Sequence, residues 1–414
     1  MYSTRVTGRQ ALFYCAAGMS ALGSTRAALG QFYMGSDISL VPYMEQQGAV
    51  FKATASSAAQ APDQILYDAG DNLFRIRIFV NPNTSYSATE GAIQTTAYDI
   101  SLAQTIKAND PNAAIMLDFH YSDTWASPGA QSTPSAWSGE SLSQLESTVQ
   151  SYTTSTLNSF AAAGAPVNLV QVGNEINSGM LWPTGQLNFN GTTAQQEASW
   201  QALGGLLNSA ISGVRASTGG SGIQIAIHIA NGAEGPGPDG EPQYFFGNLT
   251  NPSYGNVPAS SFNIMGVSFY PNSDGSPSIT LSGLQTNLTD LAMDYPTKKI
   301  MVLETNYPYE SLSGYNGWPE TPAGQEEEIQ AVKNLLLNLP NNAGEGMVYW
   351  YPEDVQVPGQ DIYNGGATGL FSLESGTNNT WIANEALAAF AVPEPASAAL
   401  LLLAAPLMLR RLRH

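Results

Sequence analysis

Eight short apolar runs, rich in β-branched residues, recur along the chain at 32–38, 74–80, 114–120, 167–173, 224–228, 264–269, 299–304 and 346–350. Runs of that length, apolar on both faces, read as strands buried in a parallel sheet. The gaps hold patterns of helical period, at 91–109, 142–163, 197–217, 281–295 and 324–339. Strand and helix alternate eight times, which predicts an α/β fold made of a single (β/α)8 TIM barrel. The pattern shows no internal repeat and no second domain. Gly/Pro-rich stretches at 231–242 and 272–277 follow strands, so they read as loops over a site and not as linkers.

In such a barrel the chemistry projects from the C-terminal strand ends. The residues found there are Asp37, Arg77, Asn81, His120, Tyr121, Asn174, Glu175, His228, Tyr270, Glu304 and Trp350. A packing layer would be Val, Ile and Leu; this set is polar and aromatic. Glu175 and Glu304 carry most of the information, because each closes a buried strand and an isolated carboxylate is costly to bury. Taken alone, each reads better as a strand-end carboxylate in a structural ion pair. Together they are the pair that glycoside hydrolysis needs: one protonated, one ionised, about 5 Å apart in a retaining enzyme. Asn174, beside Glu175, is suited to hydrogen-bond a sugar 2-hydroxyl. Arg77, in an otherwise apolar strand, needs a carboxylate. Pairing with Glu304 would keep that glutamate ionised, while a salt bridge below the mouth fits Arg77 as well.

Aromatic residues crowd the predicted loops: Tyr121, Trp125, Trp137, Trp182, Tyr307, Tyr309 and Trp350. The C–H faces of sugar rings stack on such side chains. Trp200 and Trp381 lie in helical and tail contexts and read as core. His120 and His228 carry no metal-ligand spacing, so hydrogen bonding is the expected role of both, and no metal site is predicted.

Composition narrows the ligand. Charged residues make up only 11% of the 414, and the formal net charge is −19. That argues against nucleic acid and an anionic membrane as partners, and an uncharged polymer fits such a surface somewhat better than a polyanion. The single Cys15 permits no intrachain disulfide and no thiol chemistry in the body of the chain.

Both ends read as address labels. Residues 1–30 carry Arg5 and Arg9, an apolar stretch and then small residues, the layout of a signal peptide. Residues 392–414 run Val392-Pro393-Glu394-Pro395, an apolar stretch, then Arg410-Arg411-Leu412-Arg413. This tail resembles the bacterial PEP-CTERM sorting signal, which implies export in a Gram-negative bacterium and membrane contact only through a tail that is processed. Residues 31–391 then form the barrel domain, expected to be a monomer. Six of the 14 basic residues lie in the two labels against one of the 33 acids, so the body is more acidic than the whole chain.

Longer motifs add a resemblance. Asp118-Phe119-His120-Tyr121-Ser122-Asp123-Thr124-Trp125-Ala126 and Val172-Gly173-Asn174-Glu175-Ile176, followed by Gly179-Met180-Leu181-Trp182-Pro183, are similar to glycoside hydrolase family 53. So are Gly35-Ser36-Asp37-Ile38-Ser39, Arg77 with Asn81-Pro82, His228-Ile229-Ala230-Asn231-Gly232, Gly266-Val267-Ser268-Phe269-Tyr270-Pro271 and Glu304-Thr305-Asn306-Tyr307-Pro308-Tyr309, all in family order. The resemblance implies retaining, endo-acting hydrolysis of β-1,4-galactan. It implies Glu175 as acid/base, Glu304 as nucleophile, and substrate contacts from Asp37, Arg77, Asn81, His120, Tyr121, Asp123, Trp125, Asn174, Trp182, His228, Tyr270, Tyr307 and Trp350. No cofactor is implied; a structural calcium found in some relatives has no identifiable site here. Two departures stand out: Asn272-Ser273-Asp274-Gly275 where bulky aromatics are usual, and Tyr351-Pro352 after Trp350 where Glu-Pro is usual. The altered loop keeps open a mannan or glucan substrate on the same fold. The sorting-like tail keeps open a non-catalytic carbohydrate-binding surface protein.

Overall fold

The computed structural model describes residues 32–235, 237, 242–271, 279–357 and 363–391. Both predicted end segments and residues 272–275 lie outside these. Among the described residues, eight parallel strands close into a barrel: β1 (Tyr33–Asp37), β2 (Leu73–Ile78), β3 (Ala114–Phe119), β4 (Leu169–Val172), β5 (Gln224–Ile229), β6 (Ile264–Ser268), β7 (Lys299–Thr305) and β8 (Gly344–Trp350). Each hydrogen-bonds its sequence neighbours, and β8 closes on β1 through Tyr33 to Gly346 and Asp37 to Trp350. All eight predicted runs are strands, with ends shifted by a few residues.

Helices return the chain between strands: α1 (Pro62–Ala69), α2 (Thr96–Asn109), α3 (Leu142–Ala162), α4 (Thr193–Ala216), α5 (Pro242–Thr250), α6 (Leu281–Asp294) and α7 (Pro322–Leu337). Their starts are written in the sequence. Thr192 and Gln195 form a reciprocal capping box at α4, each side chain bonding the other's backbone N–H. Thr321 caps α7, with Pro322 at its first position. A 3-10 turn at Glu385–Phe390 packs on α7 in the place of an eighth helix. The five predicted helices form, with ends shifted by a few residues, and α1 and α5 add to them. A three-stranded sheet, Val50–Lys52 with Thr380–Ala383 and Phe371–Leu373, is also new. Val50–Lys52 lies more than three hundred residues from the other two strands in sequence, so no local pattern announces the sheet. Trp200 and Trp381 are buried, as expected for core residues.

Inside the barrel the period of two sorts residues into layers. Leu73, Met116, Leu169, Ala226, Ile264, Met301, Leu303 and Val348 form an apolar layer. Two residues further along the same strands the inward positions become Arg75, Asp118, Gln171 and His228. The barrel is therefore a packed apolar plug below and a polar site above. Leu303 and Glu304, adjacent in β7, both serve the interior. The register against β6 shifts between Val302 and Glu304, a bulge that re-aims the second residue toward the mouth. Gly266 across from them has no room for a side chain: a Cβ there would sit 2.2 Å from the Leu303 side chain.

Some buried carboxyls stand without a cation. Glu328 on α7 accepts from Thr305 at 2.9 Å and has no partner on its other oxygen. Burial pushes its pKa up to about 8 from 4.5, against the smaller lowering effect of Thr305. Between those two values the folded chain holds a proton that the unfolded chain has lost. Stability attributable to this group therefore falls as pH rises through that window, by about 1.4 kcal/mol per pH unit. Glu328→Gln, which stays neutral, is expected to raise the melting temperature at pH 8 and change it little at pH 5. Thermal denaturation across pH 5–8 checks this; an equal shift at both ends would refute it.

Candidate active site

Glu175 follows β4 through a strained turn. Gly173 has φ +86°, and a Cβ there would meet the Ile176 side chain at 2.7 Å. Glu175 itself has φ +47°, a conformation that costs a non-glycine residue free energy and is typically found at functional positions. Gln131 holds this turn by donating to the carbonyls of Asn174 at 2.8 Å and Glu175 at 3.3 Å. The Glu175 carboxyl accepts from the Ser268 hydroxyl at 2.6 Å.

Glu304 ends up in a different environment. It receives Arg75 Nη2 at 2.9 Å and the Tyr270 hydroxyl at 2.9 Å. Arg75 is the centre of the site. It is fully buried and also donates to Asp37 at 2.9 Å, Asp118 at 2.8 Å, Asn174 at 2.9 Å and Gln171 at 3.2 Å. Burial alone would favour its neutral form, but Asp118, Glu304 and Asp37 hold its pKa above the ordinary arginine value.

The expected pairing of Arg77 with Glu304 is therefore corrected to Arg75. Both arginines face the barrel interior, two residues apart, and Arg75 is the one whose guanidinium reaches the carboxylate layer. Arg77 instead donates to Asp37 at 3.0 Å. Its guanidinium lies 4.6 Å from the Trp125 ring centroid and 4.8 Å from that of Tyr351. Trp350 stacks on Tyr351 with centroids 4.7 Å apart and meets Trp125 and Tyr270 edge-on. Trp125, Trp350 and Tyr270, all partly exposed, thus form one aromatic wall beside Glu304. Tyr351, unusual against the resemblance, is its buried backing.

The two catalytic candidates differ in protonation. Burial raises the pKa of both. For Glu175 the nearby charge of Glu304 adds to burial, Ser268 and Arg75 oppose it weakly, and the result is about 8. For Glu304 the Arg75 charge and the Tyr270 hydrogen bond counter burial. The first proton the pair takes up thus belongs on Glu175. Asp118 stays ionised: burial opposes this, but Arg75 and then His120 outweigh it and hold its pKa below the usual range.

The remaining sequence candidates divide. His120 accepts from Ala126 N–H at Nδ1 and points Nε2 at Asp118, 3.0 Å away. Asn174 is nearly enclosed, its oxygen taken by Arg75 and Gln171 and one amide hydrogen by the Ala126 carbonyl. Trp182 is half-buried in the loop after β4. His228 is fully buried behind Ser268 and does not face the mouth, a correction to its expected substrate contact. Tyr121 is another: its φ of +49° turns it outward, where it stacks on Phe119 and hydrogen-bonds Thr153 of α3 at 2.8 Å. Tyr307 is likewise buried, its hydroxyl bonded to the Trp318 carbonyl. Asp123 braces a loop, accepting from the Asn81 and Ser135 backbones and the Ser135 hydroxyl, which leaves Asn81 exposed above it. Trp137 is core. Arg75, Gln171, Ser268 and Gln131 were given no role from the sequence, although Ser268 and Gln131 stand in family-like strings. Following the inward period one step down each strand finds the first three; Gln131, in a loop, has no such signal.

Among the described residues no group of three or more His, Cys, Asp and Glu is arranged to hold a metal ion. No helix among them is long and apolar enough to cross a membrane.

The model of Glycosyl hydrolase family 53 matches residues 33–390. The chain belongs to this family. A probable arabinogalactan endo-beta-1,4-galactanase A of Aspergillus fumigatus is 35% identical over 338 residues, covering 80% of this chain and 86% of its own. The arabinogalactan endo-beta-1,4-galactanase A of Aspergillus niger is 33% identical, covering 77% and 85%. A structure of a fungal beta-1,4-galactanase superimposes with a TM-score of 0.72 at 31% identity, over 86% of this chain and 98% of that one. The family 53 catalytic domain of Ignisphaera aggregans gives 0.70 at 25% identity, over 88% and 97%.

For this family 53 barrel, the five contacts of Arg75 predict that Arg75→Lys lowers kcat for glycoside hydrolysis by about two orders of magnitude. Arg77→Lys leaves those contacts in place and should cost less than about tenfold. Steady-state kinetics on folded variants decides: equal losses would contradict the central role given to Arg75.

Proposed function

We propose that the chain is an exported, retaining endo-β-1,4-galactanase. The observation that supports this best is the unequal surroundings of two buried carboxyls in one barrel mouth, Glu175 beside the Ser268 hydroxyl and Glu304 beside the Arg75 guanidinium and the Tyr270 hydroxyl; we read the first as the protonated acid and the second as the ionised nucleophile. In this reading Glu175 protonates the glycosidic oxygen while Glu304 attacks the anomeric carbon. The leaving chain departs with that proton. Water then enters, Glu175 takes its proton, and hydroxide attack releases the sugar from Glu304 with retention. Asn174 has one amide hydrogen left after its bond to Ala126, suited to the 2-hydroxyl of the sugar bound at Glu304. Trp125, Trp350 and Tyr270 offer stacking faces for neighbouring rings.

The galactan preference rests on the family 53 relatives. The barrel domain is read as 31–391, with residues 1–30 directing export and 392–414 a sorting tail that is processed in a Gram-negative envelope. The enzyme is read as a monomer that uses no cofactor.

Hydrolysis of debranched β-1,4-galactan by the purified protein tests the reading, with β-mannan and β-glucan alongside. Short galacto-oligosaccharides are expected from galactan alone. Glu175→Gln and Glu304→Gln should each lower kcat on galactan by at least about a thousandfold. Release from mannan or glucan but not galactan would overturn the substrate; full turnover by either variant would overturn its assigned role.

A further inference from the structure

Behind Glu175 lies a file of hydrogen bonds whose direction, with Glu175 ionised, follows from the fixed polarity of its two ends. Arg75 is always protonated and can only donate, and its Nε points at Gln171 Oε1, 3.2 Å away. That fixes the Gln171 amide: its nitrogen faces the other way, 3.1 Å from His228 Nδ1 and 3.0 Å from Asn174 Oδ1. Nδ1 also lies 3.1 Å from Asn174 Oδ1, so its two neighbours accommodate either tautomer and the far end decides: ionised Glu175 can only accept, Ser268 must then donate to it, and His228 must turn Nε2–H toward Ser268, which leaves the Nδ1 lone pair to the Gln171 amide. Burial, and then the Arg75 charge, keep the ring neutral by lowering its pKa well below the ordinary histidine value. His228 Nε2–H lies 2.9 Å from Ser268 Oγ and must donate to it. The serine hydroxyl proton is then free to go only forward, to Glu175 Oε1 at 2.6 Å.

We infer that Ser268, oriented by His228 and Gln171, is a positioning residue that confines the acid proton of Glu175 to Oε2. With the file keeping that direction when Glu175 takes up its proton, Oε1 goes on receiving the serine hydroxyl and carries no proton toward Ser268. The acid therefore presents its proton from the opposite oxygen, and after transfer the new carboxylate keeps one hydrogen bond. The inference rests on Glu175 being the acid/base of the proposed reaction. Glu175 is faced by Ser268 from β6, by Glu304 from β7, by Arg75 from β2 and by Asp118 from β3, with neutral His228 of β5 behind the serine. Of these, Ser268 is the one neutral group that stabilises the carboxylate form directly.

The test compares Ser268→Ala, Ser268→Thr and wild type, as full chains, on β-1,4-galactan and on an aryl β-galactobioside with a strongly acidic phenol leaving group. Such a leaving group needs little protonation, so a mispositioned acid harms galactan hydrolysis selectively. Ser268→Ala is expected to lower kcat/KM on galactan by about tenfold or more and on the activated substrate by much less. Its alkaline limb in kcat/KM should move up by about half a pH unit, since the lost hydrogen bond favoured the carboxylate. Ser268→Thr, which keeps the hydroxyl, should restore both. Equal losses on the two substrates with an unmoved limb would mark a merely structural serine and overturn the inference. Nitrogen NMR of the wild-type imidazole supplies a readout independent of turnover: a neutral Nε2–H tautomer at pH 5–8 is expected, and a proton on Nδ1 would overturn the file's direction. Glu175→Gln on galactan separates the two levels, because its full activity would remove the acid/base assignment itself, whatever Ser268 does.

Discussion

The buried guanidinium of Arg75 is the constraint around which the upper half of the barrel is built. Three carboxylates, Asp37, Asp118 and Glu304, converge on it, each within 3 Å. A cation so far from water is tolerated only when paired and fully hydrogen-bonded. The converse holds for the acids: two buried arginines, Arg75 and Arg77, already face three acidic side chains, and a fourth beside them meets an environment that opposes its charge. Glu175 enters as the fourth. Its neutrality follows first from its own burial and then from the charge already committed nearby. The acid and the nucleophile are thus set by one arrangement, because the cation that keeps Glu304 ionised sits with anions that keep Glu175 protonated.

That arrangement needs a foundation. Long polar side chains inside a barrel are held in place only if the layer beneath them is solid, and Leu73, Met116, Leu169, Met301, Leu303 and Val348 supply it. Covering each such side chain contributes about 1.5–3 kcal/mol, which offsets the desolvation of the charges above. The bulge in β7 resolves a conflict between the two layers. Strict alternation would send either Leu303 or Glu304 outward; shifting the register lets Leu303 complete the apolar plug while Glu304 meets Arg75.

Much of this was legible from the chain. The strands were readable because buried parallel strands are short, apolar and bounded by turns. Glu175 and Glu304 were readable because each breaks such a run at its end. Arg75 was harder. Arg75 and Arg77 occupy the same face of one strand, and sequence period cannot say which of two inward side chains lies level with a carboxylate five strands along the chain; barrel tilt and stagger decide that. Tyr121 and Tyr307 misled for a different reason. Position after a strand suggests the mouth, but a left-handed backbone at Tyr121 re-aims the ring into the helical layer, and no local pattern encodes that turn. His228 was placed on the correct face and still missed the mouth, because Ser268 stands between it and Glu175.

The distribution of charge bears on which polymer fits. Only 11% of residues are charged, and the balance is −19. The positive charges nearest the mouth are the two arginines, both enclosed, so neither is available to a substrate anion. An acidic polysaccharide approaching this surface would meet net repulsion over about a Debye length and no accessible cation at the end of its path. A neutral chain meets none of that opposition. It is offered hydroxyl-binding groups and the faces of Trp125, Trp350 and Tyr270 instead, contacts that do not depend on ionic strength. The same enclosed charges that fix the protonation of the two glutamates therefore also leave the mouth, as seen from solvent, without a cation, and selection for an uncharged glycan follows from how the site is held together.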